Sequence, residues 1–132
     1  MPVHPIGHVA ICVQDLDQSV QFYRQLGLDL SYQTPDMAYF YSGSQGIALM
    51  RVGSADAKPH FGFACTSRQE VEQRHNALRQ QGLSVTPIQV MGDAAAFYGQ
   101  DPSGNWFEYL YEPVVEVESR PRQRGSRTKG FG

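Results

Sequence analysis

Three short runs of this chain carry residues that could do chemistry. They are "HVAICV" starting at His8, "HFGFAC" starting at His60, and "WFEYLY" over Trp106–Tyr111. In the last, one carboxylate, Glu108, sits among five large apolar or aromatic side chains. A strand must carry such a run into a core on at least one face, and an ionised carboxylate buried without a partner is very costly. Two imidazoles and a carboxylate are a donor set for Fe(II), Mn(II), Zn(II), Ni(II) or Co(II). Three protein ligands leave coordination positions for water or substrate, as in catalytic sites. Each residue taken singly has a plainer reading: a strand histidine is commonly a hydrogen-bonded structural residue, and a last-strand glutamate commonly faces solvent.

The elements that must position them come in two copies. "HVAICVQDLDQSVQFYRQLGL" and "HFGFACTSRQEVEQRHNALRQQGL" each run from a histidine through a short apolar strand and an amphipathic helix to a Gly-Leu stop. Strands are expected at 7–13 and 60–65. Asp15 or Asp17 caps the first helix, and Ser67 with Glu70 reads as a capping box for the second. Val20, Tyr23 and Leu26 form one apolar stripe, and Val71 and Leu78 form another. Gly27 and Gly82 suit the left-handed residue that ends a helix. Three more strands follow each helix, at about 28–33, 37–42 and 46–52, then about 84–91, 94–100 and 105–111. The expected fold class is α+β: tandem βαβββ modules, about 5–53 and 58–112, whose mixed sheets curve around a cavity, within one domain over 1–118.

Strand alternation assigns the faces. His8, Ala10 and Cys12 share one face, and His60, Gly62 and Ala64 share its counterpart. Small residues beside a polar group leave room for a ligand. Trp106, Glu108 and Leu110 share a face in the last strand, while Phe107, Tyr109 and Tyr111 turn to the helix. His4 and His75 have no such placement and read as surface residues.

Composition narrows the class. The 132 residues are 41% hydrophobic and 18% charged, with a net charge of −2, which suits one globular domain. No apolar run approaches the ~20 residues of a membrane span, and the N-terminus lacks a secretory signal pattern. Two cysteines make no disulfide framework and fit a reducing cytoplasm. Residues 119–132 carry Arg120, Arg122, Arg124, Arg127 and Lys129 with no acid, a +5 tail, leaving −7 on residues 1–118. This basic tail is expected to be flexible in isolation or to dock on the acidic body; nucleic acid is not the expected partner.

The duplicated βαβββ pattern, the opening "HVAICVQDLDQSVQFYRQLGL" and the closing "FYGQDPSGNWFEYL" resemble the vicinal oxygen chelate superfamily over about residues 5–112. That superfamily includes glyoxalase I, fosfomycin-resistance thiol transferases, extradiol dioxygenases, methylmalonyl-CoA epimerase and bleomycin-resistance proteins. The resemblance implies metal ligands at His8, His60 and Glu108, one site per chain, in a homodimer whose sites are often shared between chains. It implies chelation of a small oxygenated substrate and Lewis-acid stabilisation of an oxyanion or enolate, by a glyoxalase-like lyase or isomerase or a thiol transferase. Tyr98, ten residues before Glu108, matches a substrate-contacting tyrosine of the fosfomycin enzymes and joins Glu108 as a catalytic candidate. Their threonine after the first histidine is Ala10 here, and their final arginine aligns near Val117, with Arg120 the nearest replacement. Glyoxalase I has a fourth ligand where this chain has Leu49.

Other expectations concern the cavity wall. Arg51 shares parity with Leu49 and could anchor a carboxylate or phosphate at the rim, or simply be a solvated strand end. Cys12 is a small wall residue or a redox thiol. Two alternatives to the metal-dependent lyase, isomerase or transferase remain open. One is a single-domain Fe(II) extradiol dioxygenase. The other is a metal-free resistance protein binding a drug or aromatic ligand, with Trp106, Tyr98 and Phe40 stacking on it.

Overall fold

The computed structural model describes residues 3–55 and 57–113. The basic tail, Val117 and Arg120 lie outside the described residues. The chain divides into two compact units, one holding His8–Pro59, the other holding the chain up to Gly7 and again from His60. The division falls inside the first strand.

In the unit from His8, the elements are β1 (Ile6–Val13), α1 (Leu16–Gln25), β2 (Asp29–Gln33), β3 (Met37–Ser42) and β4 (Gln45–Arg51). The strand order is β2-β3-β4-β1. β1 and β4 run parallel, with His8 opposite Gly46, Ala10 opposite Ala48 and Cys12 opposite Met50. A parallel neighbour requires a crossover, which α1 begins. Asp15 caps α1 by accepting from the Gln18 N–H at 3.0 Å. Its end is a Schellman turn: Gly27 has φ 96°, its N–H donates to the Arg24 carbonyl, and the Leu28 N–H donates to the Tyr23 carbonyl. The stripe that α1 buries is Leu16 and Val20 with Tyr23 beside them. Leu26, expected in that stripe, is 61% exposed, because it is the cap residue, where the helix turns away from the sheet.

The other unit repeats this plan. β5 (His60–Ala64), α2 (Arg68–Gln80), β6 (Gln89–Met91), β7 (Ala94–Gln100) and β8 (Trp106–Tyr111) follow in sequence, and the strand order is β5-β8-β7-β6. β5 and β8 are parallel, with His60 opposite Trp106 and Gly62 opposite Glu108. Ser67 caps α2, accepting from the Glu70 N–H at 3.1 Å. Glu70 does not close the expected box on Ser67; its carboxylate accepts from the Thr66 N–H at 2.7 Å. Val71 and Leu78 pack on Phe97, Tyr109, Ala95 and Cys65. Complete burial of Val71 and Phe97 contributes about 1.5–3 kcal/mol each.

The strand expected at 84–91 is the one element much shorter than expected. Only Gln89–Met91 is a strand, preceded by a lone bridge between Val85 and Gly99. Pro87 has no N–H to give to a ladder, and it interrupts the pairing between the two.

Candidate functional site

Glu108 occupies the middle of β8, between a glycine and a tyrosine on the flanking strands. On β5 it faces Gly62, which has no side chain to fill the space. On β7 it faces Tyr98. The carboxylate is 5% exposed. It reaches along the strand to His60, whose Nε2 stands 3.3 Å from Glu108 Oε1. At that separation the two side chains can share a hydrogen bond or ligate one cation. The Tyr98 ring meets the His60 ring edge-on, with centroids 5.3 Å apart, and Trp106 meets Tyr98 edge-on at 6.3 Å. Three expected site residues, His60, Glu108 and Tyr98, are thus together, with Trp106 beside them. Phe107, Tyr109 and Tyr111 pack in the helix-side core as parity requires.

The turn before β8 aims this group. Asp101 Oδ1 accepts from the Ser103 and Asn105 N–H groups at 2.8 Å each, and Oδ2 accepts from Asn105 Nδ2 at 2.8 Å. These bonds, with Asn105 Nδ2 first, hold the Asp101 carboxyl below its ordinary value of 3.8. Gly104 takes the left-handed conformation at φ 89°. Gly99 then lets the Phe107 ring lie across β7, since a Cβ there would overlap that ring.

His8 lies in the other unit. It is 8% exposed, near the start of β1. Its face of the sheet continues through Ala10 and Cys12, which cluster with Tyr39, Ala48 and Met50. Cys12 is a partly buried packing residue with a free thiol.

Matching the two registers relocates the counterpart of Glu108. His8–Gly46 and Ala10–Ala48 correspond to His60–Trp106 and Gly62–Glu108. The residue equivalent to Glu108 is therefore Ala48, one position before Leu49. Leu49 faces α1 with Leu16, Val20 and Phe40. Two further expectations are corrected. Phe40 is a fully buried core residue under α1, packed against Tyr23, and does not line the His8 face. Arg51 shares the parity of Leu49, so it too is off that face. It is an exposed strand end that pairs with Asp36 through its guanidinium.

His4 and His75 are not simple surface residues. His75 Nε2 lies 2.9 Å from the Thr86 carbonyl, and its ring packs edge-on against Phe97. His4 packs edge-on against Tyr109. The tyrosines of the His8 face were missed in the sequence. Tyr39 stacks on Tyr32 with centroids 5.9 Å apart and meets Tyr41 edge-on at 5.5 Å. Their signal was the alternation Met37, Tyr39, Tyr41 in "MAYFYS".

No helix among the described residues is long and apolar enough to cross a membrane. No curated protein sequence matches the chain. Solved structures share its fold. Streptomyces coelicolor methylmalonyl-CoA epimerase matches with TM-score 0.70 and 18% identity, over 89% of this chain and 100% of that one. The Mycobacterium tuberculosis methylmalonyl-CoA epimerase matches with TM-score 0.66 and 19% identity, over 87% and 91%. A glyoxalase/bleomycin resistance protein/dioxygenase superfamily member from Vibrio splendidus matches with TM-score 0.59 and 16% identity, over 83% and 99%. At these identities the likeness establishes a glyoxalase-like fold. The family model covers residues 5–109, and on that match the chain belongs to the Glyoxalase/Bleomycin resistance protein/Dioxygenase superfamily.

Proposed function

We propose that this chain is a metal-dependent lyase or isomerase acting on a small oxygenated substrate, with His8, His60 and Glu108 as the metal ligands. The observation that carries the reading is the buried His60–Glu108 pair, 3.3 Å apart. A buried carboxylate against an imidazole is expensive unless a positive charge compensates it. His8, the buried histidine at the matching place in the repeat, supplies the third donor. The donor set suits Fe, Mn, Zn, Ni or Co in the divalent state. When bound, such an ion supplies Lewis acidity that favours negative charge on a substrate oxygen.

The chain's own groups do the rest. Gly62 and Tyr98 fix the direction of the Glu108 carboxylate. Tyr98 holds the His60 ring edge-on and presents a phenol that hydrogen-bonds to substrate. Trp106 closes the far side of Tyr98 and shields the site from water. Ala10, where the thiol transferases have a threonine, weighs against a transferase, and methylmalonyl-CoA epimerases are among the proteins sharing the fold. The active form is a homodimer with sites shared between chains, and the free thiols suit the reducing cytoplasm.

The test is metal analysis of protein purified without a His tag, then reloaded with each of the five ions. One equivalent of metal per chain that is lost in Glu108→Ala supports the reading; no metal under any loading condition, or uptake that Glu108→Ala leaves unchanged, sinks it. Oxygen uptake on a catechol panel after anaerobic Fe(II) loading separates an extradiol dioxygenase from a lyase or isomerase. A second reading, metal-free capture of an aromatic ligand, is favoured by the Tyr98–Trp106 edge contact. It predicts thermal stabilisation by bleomycin or an aromatic ligand and no metal stabilisation that Glu108→Ala abolishes.

A further inference from the structure

A second group of metal-ligating side chains lies on the helix side of the unit that contains His60. His4, Cys65 and Glu70 bring an imidazole nitrogen, a thiol sulfur and a carboxylate oxygen within 4.8 Å of one another. Each is fixed by backbone that needs no ligand. The Ala64 N–H donates to the Pro5 carbonyl at 2.8 Å, so the residues on either side, Cys65 and His4, are held together. The Cys65 N–H donates to the Leu110 carbonyl at 2.8 Å. Glu70 stands in the first turn of α2 with Oε1 tied to the Thr66 N–H. The Tyr109 ring supports the His4 ring from the side.

We infer that His4, Cys65 and Glu70 form a second metal site, distinct from the His60–Glu108 centre, that takes a thiophilic divalent cation of the zinc type. The donor chemistry supports this choice. Thiolate, imidazole and carboxylate are all zinc ligands, with bonds of about 2.0–2.3 Å. A tetrahedron of such bonds has edges of about 3.3–3.8 Å, so from separations within 4.8 Å the three side chains close by about 1.5 Å at most, with water as the fourth ligand. Binding replaces the thiol proton by the metal; the proton leaves to solvent and no oxidation state changes. Burial, and then the Glu70 charge, push the metal-free Cys65 thiol up to about 11, so it enters as S–H. Arg74 donates to the Tyr109 hydroxyl at 2.8 Å and lies close enough to influence Cys65. It does not oppose occupancy, because thiolate and carboxylate together neutralise the dication. The occupied site clips His4 to the β5–α2 junction, stabilising the fold by mass action.

Cobalt(II) distinguishes this site from the other, because His8, His60 and Glu108 contain no sulfur. Titration of the full-length, untagged protein with Co(II) should produce a thiolate-to-cobalt charge-transfer absorption in the near ultraviolet. The absorption should persist in Glu108→Ala and in Cys12→Ser, and vanish in Cys65→Ser. Zn(II) should bleach it. His4→Ala, which removes only a partly exposed ring edge-on to Tyr109, should weaken Co(II) binding about tenfold or more while leaving the metal-free melting temperature within a few degrees. No sulfur-to-cobalt band in the native protein, or a band that survives Cys65→Ser, overturns the proposal. Loss of the band only in Cys12→Ser overturns it equally.

Discussion

Glu108 Oε1 lies 3.3 Å from His60 Nε2 on the parallel neighbour strand, and the residue facing Glu108 across that pair is Gly62. The glycine matters because the carboxylate must run along the strand to reach a ring two positions away. Its Cα hydrogen leaves the space that a side chain would take. Glu108→Gln keeps the volume and one acceptor but removes the charge. It is expected to lower divalent-metal affinity by about tenfold or more, measured by equilibrium titration of metal-free protein, while far-ultraviolet circular dichroism stays unchanged. An unaltered affinity would mean that Glu108 is not a ligand.

Tyr98 faces the same carboxylate from the other side. Tyr98→Phe retains the ring that meets His60 and Trp106 and removes only the hydroxyl. Metal affinity should therefore hold within about twofold, whereas binding of a chelating substrate analogue should weaken by about five- to tenfold, the worth of one hydrogen bond of ~1–1.5 kcal/mol. Calorimetric titration of the metal-loaded protein with a small hydroxamate measures both effects. Equal loss of metal and analogue would make Tyr98 a support for His60 and not a substrate contact.

The Asp101 turn gives stability a dependence on pH. Its hydrogen bonds hold the folded-state carboxyl below the ordinary value of 3.8. The unfolded chain then takes up its proton first as pH falls. The contribution is complete above the ordinary value and is lost as pH drops through the lowered one. Asp101→Asn should be less stable than the parent at pH 7, with a gap that narrows steadily towards pH 3. Urea midpoints at pH 7, 5, 4 and 3 check this; a gap independent of pH would assign the turn's contribution to geometry alone.

Much of this was legible in the residues, for reasons that are local. The caps at Asp15 and Ser67 and the stops at Gly27 and Gly82 are backbone chemistry, and they appear where expected. The strands at 37–42 and 94–100 follow from alternation and match the structure residue for residue. The facing of Glu108 away from Tyr109 follows from the same period of two. What failed was register. Loop lengths differ between the modules, so counting could not say whether Ala48 or Leu49 matched Glu108. One position reverses the face, and Arg51 went with it; Phe40 fails separately, because it alternates with Tyr39 and faces α1. The second metal group was illegible for another reason. His4, Cys65 and Glu70 share no spacing motif and meet only because Pro5 pairs with Ala64.

Helix α2 docks through Val71 and Leu78 onto a stack in which the Phe97 and Tyr109 centroids are 5.3 Å apart. Phe97 is completely buried and also receives the edge of His75. Phe97→Ala should cost about 3–5 kcal/mol, seen in the urea midpoint, a large share of the 5–15 kcal/mol available to a domain. Phe97→Leu should cost less, because it leaves a smaller void.

Gly46 offers a test of how the His8 strand is supported. It faces His8 across the parallel pair, and a Cβ built on it would overlap the hydroxyl end of the Tyr39 ring. Tyr39 therefore lies flat over β4 only because position 46 has no side chain. Gly46→Ala should destabilise the protein by about 1–3 kcal/mol, the usual penalty for overpacking. The added methyl meets the ring carbon as well as the hydroxyl, so Tyr39→Phe in the same chain should restore only part of the loss. Tyr39→Ala would remove the overlap altogether, at the expense of its own cavity. A double-mutant cycle on Gly46 and Tyr39, read by urea unfolding, should therefore show coupling of about 0.5–3 kcal/mol. Strict additivity would mean that Tyr39 moves freely off the strand, and the tyrosine face beside His8 would then be a mobile surface and not a fixed wall.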